Sequence, residues 1–282
     1  MATDGYGATI AKRRLARRLT ELRVRAGYTA NQVCDKLAWG RGKVGRFEAN
    51  AWRRPEMSDI RDLLRIYGAT DDECTELERL AITARERPWW REYPDVFEDG
   101  EFAGFEADAT TISAYMPLIV PGLLQTRAYA EAWISRSPRP PEWRHRALES
   151  RLRRQEILVR EQKPPRLVAV ITEASLMYRW GTQDDRRAQV QHLVTMGRRP
   201  NVEVRLLRFA DGLHPGISGM INIFSYPDDP ALVFMETDTT IRELSDLEDA
   251  RMHMLLFNEI RDAALSPAKT TKHLTMLAET LE

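Results

Sequence analysis

The chain has little of what builds covalent or metal-held frameworks. Its 282 residues include two cysteines and five histidines. Cys34 and Cys74 share no metal-ligand spacing with each other or with the histidines, which argues against a disulfide, a zinc site or any other metal centre. No run approaches the roughly 20 apolar residues of a membrane helix. The N-terminal MATDGYGATI lacks the basic-then-apolar order of a secretion signal, so cytoplasmic residence without a membrane partner is expected. Phosphate-cradling glycine loops, paired-histidine metal motifs and nucleophile elbows are missing as well. A cofactor is therefore not expected. Internal repeats and low-complexity tracts are also lacking.

Net charge is absent too, with 42 basic residues balancing 42 acidic ones, but the balance is local nowhere. Residues 1–54 hold thirteen basic residues against four acidic ones, a net +9, and the remaining 29 basic and 38 acidic residues carry −9. A basic end of this kind attracts phosphate. At 43% hydrophobic and 30% charged the chain has the composition of a globular protein, and its length suggests two domains.

Ile10, Leu15, Leu19, Leu22 and Val24 recur at helical spacing and predict a first helix ending at Ala26-Gly27, with an outer face that is almost all arginine. Thr29 can cap a second helix to about Ala38. A break at Trp39-Gly40 precedes a third helix from Arg41 to Glu48. Pro55 opens a fourth, closed by Gly68. The fifth, from about Asp71 to Arg87, is acidic in its first turn and basic in its last, as the helix dipole favours.

Within this set, Ala30 to Glu48 has the register of a helix-turn-helix. Val33, Leu37, Trp39, Val44 and Phe47 occupy inward positions, and Cys34 is the small residue where the two helices meet. Ala38 stands where such a turn often has glycine. Residues Tyr28-Thr29, the run Trp39 to Glu48, Arg54-Pro55 and Tyr67-Gly68 resemble the Xre, or Cro/cI-like, repressor family over about residues 11–70. The resemblance implies that the helix starting at Arg41 enters the DNA major groove. It places Arg41, Gly42 and Arg46 toward the bases, with Lys43 and Gly45 at the edge of that face. Arginine pairs bidentately with guanine O6 and N7, so a half-site containing G is expected. The family's docking geometry implies phosphate contacts from Arg13, Arg14, Arg17, Lys36, Arg53 and Arg54. Glu48 reads as a pairing or capping residue rather than a base reader.

Pro88 with Trp89, Trp90, Tyr93, Pro94 and Phe97 reads as a packed aromatic hinge. Beyond it, helical patterns at Gly104 to Ala114, Gln125 to Ile134 and Pro141 to Gln162 precede β-rich runs at Arg166 to Ile171, Val202 to Phe209, Ile221 to Tyr226 and Leu232 to Glu236. Further helices are expected at Asp185 to Gly197, Leu244 to Leu265 and Ala268 to Leu281. Trp89-Trp90, Val120 to Thr126, Tyr129-Ala130, Arg151-Leu152, Glu173 to Leu176, Pro200-Asn201-Val202 and Ala264-Leu265-Ser266 are similar to actinobacterial helix-turn-helix regulators with a characteristic C-terminal domain of unclear role. Such regulators are often encoded beside a very small partner protein, and some are described as antitoxin-like.

Gln125, near a helix start, reads as packing or as an amide offered to a ligand or partner. His214, on a loop between strands, reads as a satisfied histidine or as a contact. The arginines at 144, 146, 151, 153 and 154 read as a solvated face or an extension of the DNA footprint. Ser218-Gly219-Met220 superficially suggests the serine of a self-cleaving Ser/Lys dyad. The downstream chain offers only Lys269 and Lys272, both in a late helical pattern, so no catalytic residues and no enzyme are expected.

The fold class expected is a mainly α, five-helix, lambda-repressor-like helix-turn-helix domain over 1–87, an aromatic hinge over 88–104 and an α+β domain with a small sheet over 105–282. The function expected is sequence-specific regulation of transcription by a homodimer on an inverted repeat of double-stranded DNA. The C-terminal domain would receive a protein or small-molecule signal. An antitoxin-like module that neutralises a small partner protein is the alternative.

Overall fold

A computed structural model describes residues 7–52, 55–97, 101–216, 219–236, 241–244 and 246–281. The chain divides into two compact units, Met1–Glu92 with Asp99–Asp108, and Tyr93–Glu98 with Ala109–Glu282.

The first unit begins with α1 (Ala8–Arg25), α2 (Ala30–Lys36), α3 (Lys43–Glu48), α4 (Met57–Tyr67) and α5 (Asp71–Thr83). Thr29 and Thr70 each open a helix through a capping box, with Gln32 and Glu73 answering from the third position. Four helices end in the same way. The residues after α1, α2, α3 and α4, namely Gly27, Ala38, Asn50 and Gly68, all take positive φ. Each lets the following amide reach back five residues: Tyr28 to Arg23, Trp39 to Cys34, Ala51 to Arg46 and Ala69 to Leu64. The apolar faces so aligned bury Leu15, Leu19, Leu22, Val33, Cys34, Val44, Phe47, Ile60, Leu63, Leu64, Leu77 and Leu80 in one core. Full burial of side chains such as Val44 or Phe47 contributes roughly 1.5–3 kcal/mol each.

Along the chain, α6 (Pro94–Phe97) belongs to the second unit and α7 (Glu101–Asp108) returns to the first. Gly7, at the start of α1, has no side chain to cap it, and Asp108 does so from α7. Its Oδ2 accepts the amides of Thr9 at 3.1 Å and Ile10 at 2.9 Å. The α+β domain expected from residue 105 therefore starts nearer 109, because the end of α7 is bound to α1. Within the expected hinge, a 3₁₀ turn at Trp89–Glu92 comes ahead of α6 and α7.

The second unit is built on a six-stranded sheet in the order β3-β2-β1-β4-β5-β6, comprising β1 (Thr111–Met116), β2 (Arg166–Thr172), β3 (Val202–Leu207), β4 (Met220–Ser225), β5 (Leu232–Glu236) and β6 (Ile241–Glu243). β1, β2 and β3 are parallel and the remaining pairings are antiparallel. The parallel strands are joined through α8 (Arg127–Ile134) and α9 (Pro141–Gln155), then through α10 (Ala174–Met177) and α11 (Gln183–Met196). Two helices close the unit, α12 (Leu247–Ala263) and α13 (Pro267–Thr280). Leu167, Ala169, Val170 and Ile171 are fully buried, as expected of a parallel strand covered on both faces. One face packs Tyr115, Val168, Val170, Ile221, Ile223 and Val233 against Phe257 and Ile260 of α12.

The expected fold class holds, but the fifth helix stops at Thr83 with no basic residue in its last turn, and there are three further revisions. Gly104 to Ala114 is not one helix. Past α7 the β-branched run Thr110-Thr111-Ile112 enters β1, which pairs Thr111 with Arg166 and with Ser225. The helix expected to reach Gln162 stops at Gln155 in a 3₁₀ turn. β6 is a three-residue strand too short to give a sequence signal.

Candidate nucleic-acid interface

The turn between α2 and α3 sets where α3 presents its outer face. Gly42 has φ +83 in the left-handed region and caps α3, so helical geometry starts at Lys43 rather than Arg41. Arg41 and Gly42 form the turn ahead of the helix. Val44 and Phe47 point into the core, and Phe47 lies between the rings of Trp39 and Trp52, with centroids 6.3 and 5.9 Å away. That anchoring leaves Arg41 and Arg46 exposed. A Cβ added to Gly45 would meet nothing within 4 Å, and one on Gly42 would meet only the Arg46 guanidinium at 3.9 Å. The backbone on this side is thus open to close approach.

Lys43 does not share this freedom. Its Nζ donates to Asp59 Oδ1 at 2.7 Å and sits 3.9 Å from the centroid of Trp39. This pairing ties α3 to α4.

The other end of α3 is tied to α1. Arg23 donates to both carboxylate oxygens of Glu48, at 2.5 and 3.0 Å, and to the Tyr28 carbonyl at 2.7 Å. Glu48 has the pairing role expected of it. Its partner, 25 residues earlier, carries no sequence signal. The Tyr67 hydroxyl is buried nearby, and burial followed by the Glu48 charge pushes its pKa up.

The arginines of α1 divide by direction. Arg14 meets Glu76 of α5 at 3.3 Å with its side chain 16% exposed. Arg18 pairs with Glu21, and Arg25 with Glu73. The Arg13 guanidinium lies 5.3 Å over the ring of Phe105 in α7. Arg17 stays 38% exposed, 3.7 Å from Glu21, and Lys36 is exposed with its Nζ 5.1 Å from the Tyr28 ring. The expected phosphate set therefore splits. Arg17 and Lys36 keep access to solvent, while Arg14 and Arg13 are engaged within the unit. Burial against α5 and α7 is what the one-dimensional arginine pattern could not show. Arg53 and Arg54 lie outside the described residues.

In the second unit Gln125 offers no amide to a ligand. It is 1% exposed; its Nε2 donates to the Val120 carbonyl at 2.8 Å and its Oε1 accepts from Arg151 at 2.9 Å. Gln155 closes the same loop by donating to the carbonyls of Gly122 and Gln125. His214 is half-buried, edge-on to Tyr115 with centroids 6.1 Å apart, and accepts the Gly216 amide on Nδ1. Burial holds its pKa below the usual histidine range. Arg146 is bound to Asp95, so the α9 arginines are not simply a solvated face. Ser218 lies outside the described residues, and Lys269 and Lys272 are exposed on α13. Among the described residues, no helix is long and apolar enough to cross a membrane.

Residues 14–77 match the family described as a helix-turn-helix domain. Residues 100–276 match the family described as a domain of unknown function (DUF5753). No curated protein and no solved structure matches the chain.

Proposed function

Because the chain belongs to the DUF5753 family and carries a helix-turn-helix domain ahead of it, it is a helix-turn-helix DNA-binding regulator, and we propose that it acts as a dimer on an inverted repeat. The observation that carries this reading is the outer side of α3. Arg41 and Arg46 are exposed and make no ion pair among the described residues, next to glycines with open space above them. A six-residue helix reads only a few base pairs, and a two-fold dimer doubles the sequence it recognises.

The second unit is read as the receiver of a signal from a protein. Leu118 follows β1, Met177 and Tyr178 follow β2, and Phe209 and Leu213 follow β3; these side chains are 54–92% exposed. Ligand sites in open α/β sheets gather at the carboxyl ends of parallel strands, and clustered exposed apolar side chains favour a protein partner over a small molecule. A non-catalytic role is part of the same proposal. The experiment is selection of bound fragments from the source genome, followed by footprinting. An inverted repeat with G in each half, its centres about one helical turn apart, is the expected result. A single isolated half-site occupied by one chain would overturn it.

A further inference from the structure

We infer that Gly45 is the point at which the backbone of α3 touches the duplex, its missing side chain giving the helix the depth that Arg46 needs to pair with a base. The inference rests on the DNA-binding reading above and assigns the seating of the helix in the groove to one residue.

Glycine is the poorest helix former after proline, so a glycine inside a helix calls for a reason. Among the described residues two lie inside α-helices, Gly45 in α3 and Gly104 in α7. Gly104 has its reason within the chain, because a Cβ there would lie 2.0 Å from Thr9 Oγ1 of α1. Gly45 has none of that kind. Its φ lies outside the left-handed region, and an added Cβ would meet nothing within 4 Å. Neither backbone conformation nor packing within the chain asks for glycine at this position, so the demand comes from what α3 docks against.

The position fits the duplex. Gly45 precedes Phe47 by two residues, which at 100° per residue is 200° round the helix, so it backs onto the ring that lies between Trp39 and Trp52. It is the third residue of α3, within the N-terminal part of a recognition helix, which is the part that meets base edges. Exposed Arg46 is its neighbour. A methyl group placed at 45 would hold the helix off a closely packed surface by its own thickness. The Arg46 guanidinium would then fall short of the two-point pairing with guanine O6 and N7. Gly45 is thus a positioning residue for Arg46.

Gly45→Ala tests this in the full-length chain, because folding and binding should move in opposite directions. Alanine is the best helix former, so the melting temperature should rise by about 3–6 °C. Affinity for an operator recovered from the source genome should fall about tenfold, and affinity for a random duplex of the same length by less than about threefold. Gly45→Leu, with a helix propensity close to that of alanine, should lose more operator affinity than Gly45→Ala. In an Arg46→Ala background, Gly45→Ala should cost the operator no more than it costs random DNA, since the reach it disturbs is already gone. A Gly45→Ala variant that melts lower than the parent would show that the glycine serves the fold. One that binds operator as tightly as the parent, or more tightly, would show that α3 is merely soft until bound. Either result overturns the inference and leaves the DNA-binding reading standing. A parent that prefers no selected fragment over random DNA overturns both.

Discussion

The guanidinium of Arg23 lies against the carboxylate of Glu48 in a two-point contact, and through it the last turn of α3 is fastened to the last turn of α1. Both side chains are about 15% exposed, so removing one leaves the other partly buried without its counter-charge. Glu48→Ala should destabilise the first unit by about 1–3 kcal/mol, as should Arg23→Ala. The double variant should cost less than the two added together. Urea midpoints at neutral pH measure all three. Additive costs would mean that the pair does not couple α3 to α1.

Ala38 holds φ +52 in the turn between α2 and α3, where a Cβ costs roughly 1–2 kcal/mol relative to glycine. The side chain is exposed and makes no packing contribution. Ala38→Gly should raise stability by about 1 kcal/mol with no change in DNA affinity, because the Trp39-to-Cys34 and Ala38-to-Asp35 backbone bonds are already in place. A lower melting temperature in this variant would count against the turn geometry.

Glu73 sets an acid limit on the first unit. Hydrogen bonds from Arg25, then the Thr70 amide of its capping box, pull its pKa from 4.5 to about 2. A carboxylate depressed on folding contributes stability that is complete above its unfolded pKa and is lost as pH falls through the folded one. Stability should therefore decline between about pH 4.5 and pH 2. Glu73→Gln should flatten that part of the profile while lowering the plateau above it. An unchanged acid limb in the variant would assign the loss to other groups.

How much of this was legible in the sequence depends on how each feature is recorded there. Val33, Cys34, Val44 and Phe47 declare the helix-turn-helix because burial repeats along a helix, and Arg166 to Ile171 declares a strand because a parallel strand is apolar on both faces. β1 was hidden by the lack of any glycine or proline between Asp108 and Thr111, so strand and helix read as one pattern. Glu76 and Asp59, which engage Arg14 and Lys43, are set by tertiary packing and leave no periodic mark. The amide of Gln125 was visible as a polar group at a turn. Its burial was not, since that depends on Arg151 and Gln155 arriving from α9.

Tyr115 is fully buried on the sheet face beneath α12, and its hydroxyl has no hydrogen-bond partner among the described residues. Burial pushes its pKa up to about 12, so the group stays neutral at any working pH. An unsatisfied buried hydroxyl costs about 1–3 kcal/mol. Tyr115→Phe should accordingly be neutral or stabilising by up to about 1 kcal/mol, which chemical denaturation can resolve. Gly216→Ala should do the reverse, since the added methyl would lie 2.6 Å from Tyr115 Cε1 and 2.7 Å from Ile260 Cδ1; overpacking of this kind costs about 1–3 kcal/mol.

Arg46 and Arg14 provide the sharpest comparison, because the two arginines look alike in sequence and the structure gives them different surroundings. Arg46 is exposed on the outer side of α3, one turn after Gly42, where a guanidinium can reach guanine O6 and N7. Arg46→Ala should lower the preference for operator over random DNA by about 1–3 kcal/mol and leave the non-specific affinity nearly intact. Arg14 faces Glu76 with its side chain 16% exposed, so Arg14→Ala should lower the melting temperature and leave the slope of log affinity against log salt unchanged. Each lost phosphate contact would reduce that slope by about one. The overall slope should fall well short of nine phosphates, since Arg14, Arg18, Arg23 and Arg25 are all ion-paired inside the unit. Circular dichroism on both variants is needed because Arg46 adjoins buried Phe47, and a folding defect would imitate lost binding. If folded Arg46→Ala keeps its full discrimination, the base-reading face is not the outer side of α3; if Arg14→Ala flattens the salt dependence, Arg14 reaches the duplex despite Glu76.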